Sequence, residues 1–332
     1  MKNDSVQYIG VVGYGWSGSS AVVDLLKEYE GNWVSEVEFR ILTDSHGMMD
    51  LEHALLEKWD AQNVDIAIQD FLDFAKFLNQ NEGKFSRGMC YDKLFGGKFM
   101  KATEKFVEEI ADYTYESYWW MYDYRKSYGK WIVQKILNKI IPQNYVETMY
   151  FSDISRDEFY LAVKRYMKNL IEIVSHGKNG RNIILDQAIH PQHVLKAFDY
   201  FDNVKVIIVD RDPRDSYCDI LELKKLLGRD IAFTHDVSKY VKWHKKYREN
   251  NNIEHENILR IQFEDLIFSY EETVKKITDF IGDEAMMHVE QFKHFDPMVS
   301  RKNIGKYKTF PYQDEIRILE KELAEYLYPL EK

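Results

Sequence analysis

The hydrophobic pattern changes period twice along the chain. Residues 6–12 form an apolar run of strand length, and the segment 19–29 after it spaces its apolar residues as a helix does, behind a serine-rich start. Trp33 to Arg40 alternates apolar and polar residues as far as Phe39 and predicts a second strand, so the chain opens as strand, helix, strand, the beginning of a parallel sheet. From about Leu51 to Val174 the spacing is helical: Leu51, Leu55 and Leu56, then Ile68, Phe71, Leu72, Ala75 and Leu78 repeat at that period, and no stretch reads as a strand. The second half is punctuated more sharply. Asn182–Asp186 and Val204–Asp210 are buried strands joined by a right-handed crossover, with His190-Pro191 opening the helix between them. Arg211-Asp212-Pro213-Arg214-Asp215 breaks the second strand and starts a helix through about Leu227. Helices at 158–175, 236–250 and 270–281, a strand from Ile258 to Phe263 and a final amphipathic helix carrying Ile316, Leu319, Leu323 and Leu327 complete an α/β pattern.

The sharpest local signal is Val11-Val12-Gly13-Tyr14-Gly15-Trp16-Ser17-Gly18-Ser19-Ser20. Gly13 and Gly18 have the spacing of a G-x-x-x-x-G phosphate loop, which turns backbone N–H groups and a helix N-terminus onto an anion. Two serines follow Gly18 where a nucleoside-triphosphatase has Lys and then Ser or Thr, so transfer of a nucleotide γ-phosphate is the weaker reading. The cluster from Arg211 to Asp215 falls beyond the carboxyl end of a strand, where open α/β sheets bind ligands. A third basic group, Arg301, Lys302, Lys306 and Lys308, follows in a late loop.

Composition sharpens the meaning of these cations. A net charge of −10 and a pI near 5.6 argue against a nucleic-acid or anionic-membrane binder, so a polyanionic ligand must be held by local basic clusters. Cys90 and Cys218 are too few for a disulfide framework and read as reduced, buried small hydrophobes. No charged-then-apolar leader opens the chain, and its apolar runs fall far short of the roughly 20 residues that span a bilayer, so a soluble, cytoplasmic protein without a membrane span is expected. No His, Cys or carboxylate group has metal-ligand spacing. Between Tyr113 and Trp131 stand nine tyrosines and tryptophans, which either stack on a sugar ring or fill the contacts between long helices.

In order and wording these elements resemble the sulfotransferase family that uses 3′-phosphoadenosine 5′-phosphosulfate (PAPS). Trp16-Ser17-Gly18-Ser19-Ser20 is similar to the family's K/R-S-G-T-T loop, and Val206 to Asp215 matches its strand followed by R-N/D-P-R-D. Ile261-Gln262-Phe263-Glu264-Asp265-Leu266, with the helix to Phe280-Ile281-Gly282, resembles its Y-E-D-L segment and F-L-G ending. Arg301-Lys302 ahead of Gly305-Lys306-Tyr307 resembles its R-K-G…G-x-W stretch. The resemblance covers roughly residues 6–40 and 180–330. It implies a single sulfotransferase domain over 1–332: a three-layer α/β sandwich on a mainly parallel sheet, P-loop-like, with a helical insertion at 45–180 shaping the acceptor site. It also implies that Ser17, Gly18, Ser19 and Ser20 hold the 5′-phosphosulfate while Arg211, Arg301 and Lys302 clamp the 3′-phosphate. The donor is then PAPS, the product 3′-phosphoadenosine 5′-phosphate (PAP), and no metal is expected.

Three positions depart from the family. Trp16 stands where Lys or Arg usually meets the leaving phosphosulfate, Asp219 where a serine usually meets the 3′-phosphate, and Gln187 where Asp186 would be followed by Lys. Ser216, one helical turn before Asp219, is a substitute for the serine, and Arg40, Lys302 or Arg214 for the missing charge. Sulfuryl transfer needs a base on the acceptor hydroxyl and donors on the leaving group. Glu38 is the first candidate base, because glycan-modifying members place a glutamate after the first βα unit; Glu36 on the same strand face and His190 before Pro191 are rivals. The expected function is sulfuryl transfer to the hydroxyl of a small-molecule or glycan acceptor, with a carbohydrate or glycolipid as the class named. The alternatives are a non-catalytic nucleotide-binding protein of the same fold and a P-loop kinase, and a homo-oligomer is left open.

Overall fold

In the computed structural model, residues 6–35, 37–80, 88–140, 146–176, 180–222, 236–249 and 253–329 are described. The chain divides into two compact units, one of residues 1–39 with 175–332 and one of 40–174.

The first unit is organised on a five-stranded parallel sheet of order β3-β6-β1-β7-β8. Its strands are β1 (Gln7–Gly13), β3 (Asn32–Val34), β6 (Asn182–Asp186), β7 (Val204–Asp210) and β8 (Ile258–Gln262); β2 (Tyr29–Glu30) pairs separately with β9 (Met287–His288). Apolar residues on consecutive positions bury the central strands on both faces, so they read as unbroken hydrophobic runs. The register aligns Val11 with Asp186, Gly13 with Val209 and Asp210 with Gln262, which brings the carboxyl ends of four strands to one edge. Helix α1 (Ser19–Lys27) packs on β1, β3 and β6, and the helix Tyr270–Ile281 packs on β8. Ile9, Val11, Val22, Leu25, Ile184, Ile207, Val209, Phe263 and Ile277 form the core between them. A second apolar cluster joins the helices Pro213–Glu222, Val237–Arg248 and Gln313–Glu322 through Tyr217, Tyr240, Tyr307, Phe310, Ile316 and Leu319.

The strand expected over Trp33–Arg40 is shorter than its alternation. The ladder ends after Val34, because Ser35 Oγ accepts from Val37 N–H at 3.1 Å and donates to Val37 O at 3.0 Å, drawing the backbone into a local turn. Val37 and Phe39 are still buried and Glu38 is exposed, so the alternation reports burial rather than pairing. His190-Pro191 opens only the 3-10 turn Pro191–His193, ahead of a short helix Lys196–Tyr200. The helix after Arg211 is described to Glu222, and its expected end near Leu227 lies outside the described residues.

The second unit is mainly helical, but contains the strands that its sequence was not expected to hold. β4 (Tyr113–Ser117) and β5 (Glu147–Phe151) pair antiparallel, Tyr113 opposite Phe151. The helices Ala61–Asn79, Phe99–Ile110 and Arg156–Ser175 pack through Phe71, Phe106, Phe159 and Tyr166. Fully buried Asp65 accepts the Tyr150 N–H at 3.0 Å and bonds the Tyr122 hydroxyl, tying helix to strand. Among the described residues, no helix is long and apolar enough to cross a membrane.

Candidate active site

Four of the expected site elements meet at the carboxyl edge of the parallel sheet, all within the first unit. The loop after β1 turns through three left-handed residues, Gly15, Trp16 and Gly18, with φ of 61°, 55° and 81°. At Gly18 only glycine fits, since a Cβ would stand 2.5 Å from the Phe263 ring as well as requiring the left-handed backbone. Gly15 faces open space instead. No side chain caps the N-terminus of α1, where the Ala21 N–H turns back to Gly18 O at 3.0 Å. Ser17 Oγ is buried and has no hydrogen-bond partner, and Ser19 Oγ accepts from Gln187 Nε2 at 2.7 Å. A helix start without a side-chain cap, an orphaned hydroxyl and an open glycine are features with which a loop can receive an anion, and they are compatible with the phosphosulfate end of a nucleotide.

Trp16 has a structural role in this loop. Its left-handed backbone aims its carbonyl at Arg211, whose Nη1 donates to it at 2.8 Å, while its indole packs against the cluster of Tyr217, Tyr240 and Leu319.

Arg211 is buried at the turn between β7 and the helix Pro213–Glu222. Nη1 also donates to Asp219 Oδ2 at 2.6 Å, Nη2 donates to Asn303 O at 2.6 Å, and the guanidinium lies over the Phe263 ring. Nε is buried without a partner. Asp219 accepts from Lys306 Nζ at 2.6 Å as well, and Lys306 reaches Glu222 at 2.7 Å. Burial opposes the Lys306 charge, but these two carboxylates outweigh it and hold the ammonium above its ordinary range. Ser216 is buried one helical turn before Asp219. Asp215 receives the N–H of Gly305 at 2.7 Å and of Tyr307 at 3.3 Å, which fixes the late basic loop; burial raises its carboxyl above the ordinary range. Within that loop Arg301 is exposed with its guanidinium over Phe268, and Lys302 is exposed.

Arg214 points elsewhere. It bonds Asp212 and Glu320 and stacks on Tyr307 at 3.8 Å, which makes it part of the framework rather than a substitute for the loop cation. Arg40 pairs with Asp44 at 2.8 Å inside the second unit. Glu264 is fully buried and its Oε1 accepts the Asp212 N–H at 2.9 Å, which ties the segment after β8 to the Arg211 turn.

On the other side of β1, Asp186 ends β6 with Oδ1 buried and unpartnered. Burial first, and then the charge of Glu38, push its carboxyl up to about 6. Glu38 and Asp186 are thus electrostatic neighbours, while His190 is half-buried at the start of its 3-10 turn. Glu36 lies outside the described residues. The sequence reading did not anticipate that Asn303, Asp215 and Gln187 lock the site; of these only Gln187, in a left-handed turn after a strand, left a local signal. Among the described residues there is no cluster of His, Cys, Asp or Glu able to hold a metal ion.

Comparison with known proteins bears on this arrangement. The model of the Sulfotransferase family matches residues 9–285, a span that takes in the β1 loop, Asp186 and the Arg211 turn and stops short of Arg301 and Lys302. No curated protein matches. Solved structures similar to this chain include sulfotransferase STF9 from Mycobacterium avium, at 12% identity and a TM-score of 0.43 over 98% of this chain and 76% of that one. The sulfotransferase domain from the curacin biosynthetic pathway follows at 13% and 0.42, over 98% and 99%. The sulfotransferase from Alicyclobacillus acidocaldarius stands at 9% and 0.38, over 96% of both chains. With its family match running from the first strand through the helix on β8, this chain belongs to the sulfotransferase family and is a transferase enzyme.

Proposed function

We propose that the chain transfers a sulfuryl group from PAPS, the donor its family implies, to an acceptor hydroxyl on a carbohydrate or lipid-linked sugar. The observation that carries the reading is the cradle after β1: an uncapped helix start, the buried, unpartnered Ser17 hydroxyl, and Arg211 fastened to the same loop. Ser17, Gly18, Ser19 and Ser20 would hold the 5′-phosphosulfate through backbone N–H groups and hydroxyls, with Arg211, Arg301 and Lys302 as the cations of the nucleotide site. When bound, the donor supplies an activated sulfuryl group with PAP as its leaving group.

The chain's own task is to deprotonate the acceptor and to hold the developing negative charge. Glu38 is exposed beyond β3 and its charge is felt at Asp186, so it is the carboxylate proposed to take the acceptor proton. His190, at the end of the connection from β6, is the rival base. The N–H groups at the start of α1 would stabilise charge on the leaving oxygen. A second reading, a nucleotide-binding protein of this fold without turnover, is favoured by Trp16, whose indole lies in the apolar cluster where other members have a cation at this position.

Isothermal titration with PAP tests the site. Binding is expected in the intact protein and is lost in Arg211→Ala; an intact protein that binds no PAP overturns the proposal. Formation of sulfated product over a panel of hydroxylated acceptors separates the two readings.

A further inference from the structure

The two ends of the implied donor fit this chain unequally. The phosphosulfate end meets a helix start without a side-chain cap and an unpartnered hydroxyl, whereas Arg211, the buried cation expected at the 3′-phosphate, is already paired within the protein. Arg211 and Lys306 carry two positive charges, and Asp219 accepts from both at 2.6 Å. Glu222 takes a second bond from Lys306 at 2.7 Å. Among these four side chains, two positive charges meet two negative ones. The Arg211 and Asp219 side chains are only 4% and 13% exposed, so this pair is a built interaction and not a surface contact.

We infer that Asp219 is a specificity-determining residue that cancels the preference for a 3′-phosphate, so that the site accepts an adenosine 5′-nucleotide with a free 3′-hydroxyl about as well as its 3′-phosphorylated counterpart. This rests on the reading that the loop 17–20 holds the 5′ end of an adenine nucleotide. A phosphomonoester brings between one and two negative charges. Whether Arg211 meets it with the unpartnered Nε or turns away from Asp219, the Asp219 carboxylate would stand beside the incoming phosphate and share the guanidinium charge with it. A 3′-hydroxyl brings no charge and can donate to the same carboxylate. Dinucleotide sites use this choice: an acidic side chain receives a ribose hydroxyl, and an arginine accommodates the ribose phosphate. Here both groups are present, and they are bonded to each other. Ser216 precedes Asp219 by one helical turn and Lys302 is exposed in the late loop, but neither removes the Asp219 carboxylate from Arg211.

The test is calorimetric titration of the full chain with PAP and with adenosine 5′-monophosphate, before and after Asp219→Ser. The intact protein is expected to bind the two within about threefold of each other, and Asp219→Ser to shift the ratio towards PAP by about tenfold or more. An intact protein that prefers PAP by about thirtyfold or more overturns the inference while leaving the nucleotide site standing. So does an Asp219→Ser protein with an unchanged ratio. If neither nucleotide binds either protein, the underlying reading fails and the inference with it. Should Asp219→Ser not fold, Asp219→Asn, which keeps the side-chain volume and removes the charge, carries the same comparison.

Discussion

Glu264 gives the most direct test of the electrostatics beneath the site. It is fully buried, one oxygen accepts the Asp212 N–H, and the other has no partner. Burial pushes its carboxyl from 4.5 up to about 7, with the Asp212 N–H pulling the other way. That displacement corresponds to about 3 kcal/mol between the protonated and charged forms. The folded chain holds this proton more tightly than the unfolded chain does. Its contribution to stability is therefore present below about pH 4.5, falls as pH rises towards about 7, and is gone beyond it. Glu264→Gln keeps an acceptor for Asp212 and removes the titration. Urea denaturation of both proteins at intervals from pH 4.5 to 8.5 isolates the effect, because every other titrating group is common to the pair. The stability of the variant relative to the parent should rise across the window by up to about 3 kcal/mol. A difference that stays flat with pH refutes the reasoning, whatever its absolute value.

Gly18→Ala should cost about 1–3 kcal/mol by adding a Cβ to a left-handed residue 2.5 Å from the Phe263 ring, and should abolish PAP binding; a stable variant with intact binding would show that the loop is free to rearrange. Glu38→Gln should remove sulfuryl transfer by a factor of about a hundred or more while leaving PAP affinity within about threefold. A fully active Glu38→Gln enzyme passes the role of base to His190 or Glu36.

Legibility in the sequence followed the range of the interactions. β1, β6 and β7 were visible because burial on both faces leaves continuous apolar runs, and the β1 loop because Gly13 and Gly18 are a local constraint. The stretch after Val34 misled, since burial alternates there while Ser35 has already captured the backbone. β4 and β5 were hidden because they form a two-stranded sheet whose aromatic side chains include exposed Tyr113 and Tyr115, so neither a buried run nor a core stripe marks them. The departures at Trp16 and Asp219 were visible as letters, but not their meanings. Asp219 lies eight residues from Arg211 and Asn303 ninety-two, and neither distance gives a periodic signal. The hold of Asp215 on Gly305 is equally remote in the chain.

The guanidinium of Arg211 closes a knot of three strands of chain: the loop at Trp16, the helix at Asp219 and the segment at Asn303. A glycine-rich loop left to itself samples many conformations, and a ligand that orders it does so at the expense of affinity. In this protein one guanidinium ties that loop to the helix at Asp219 and to the segment at Asn303. If the loop receives the anion proposed for it, affinity there should depend on charge and donors more than on the ordering of the loop.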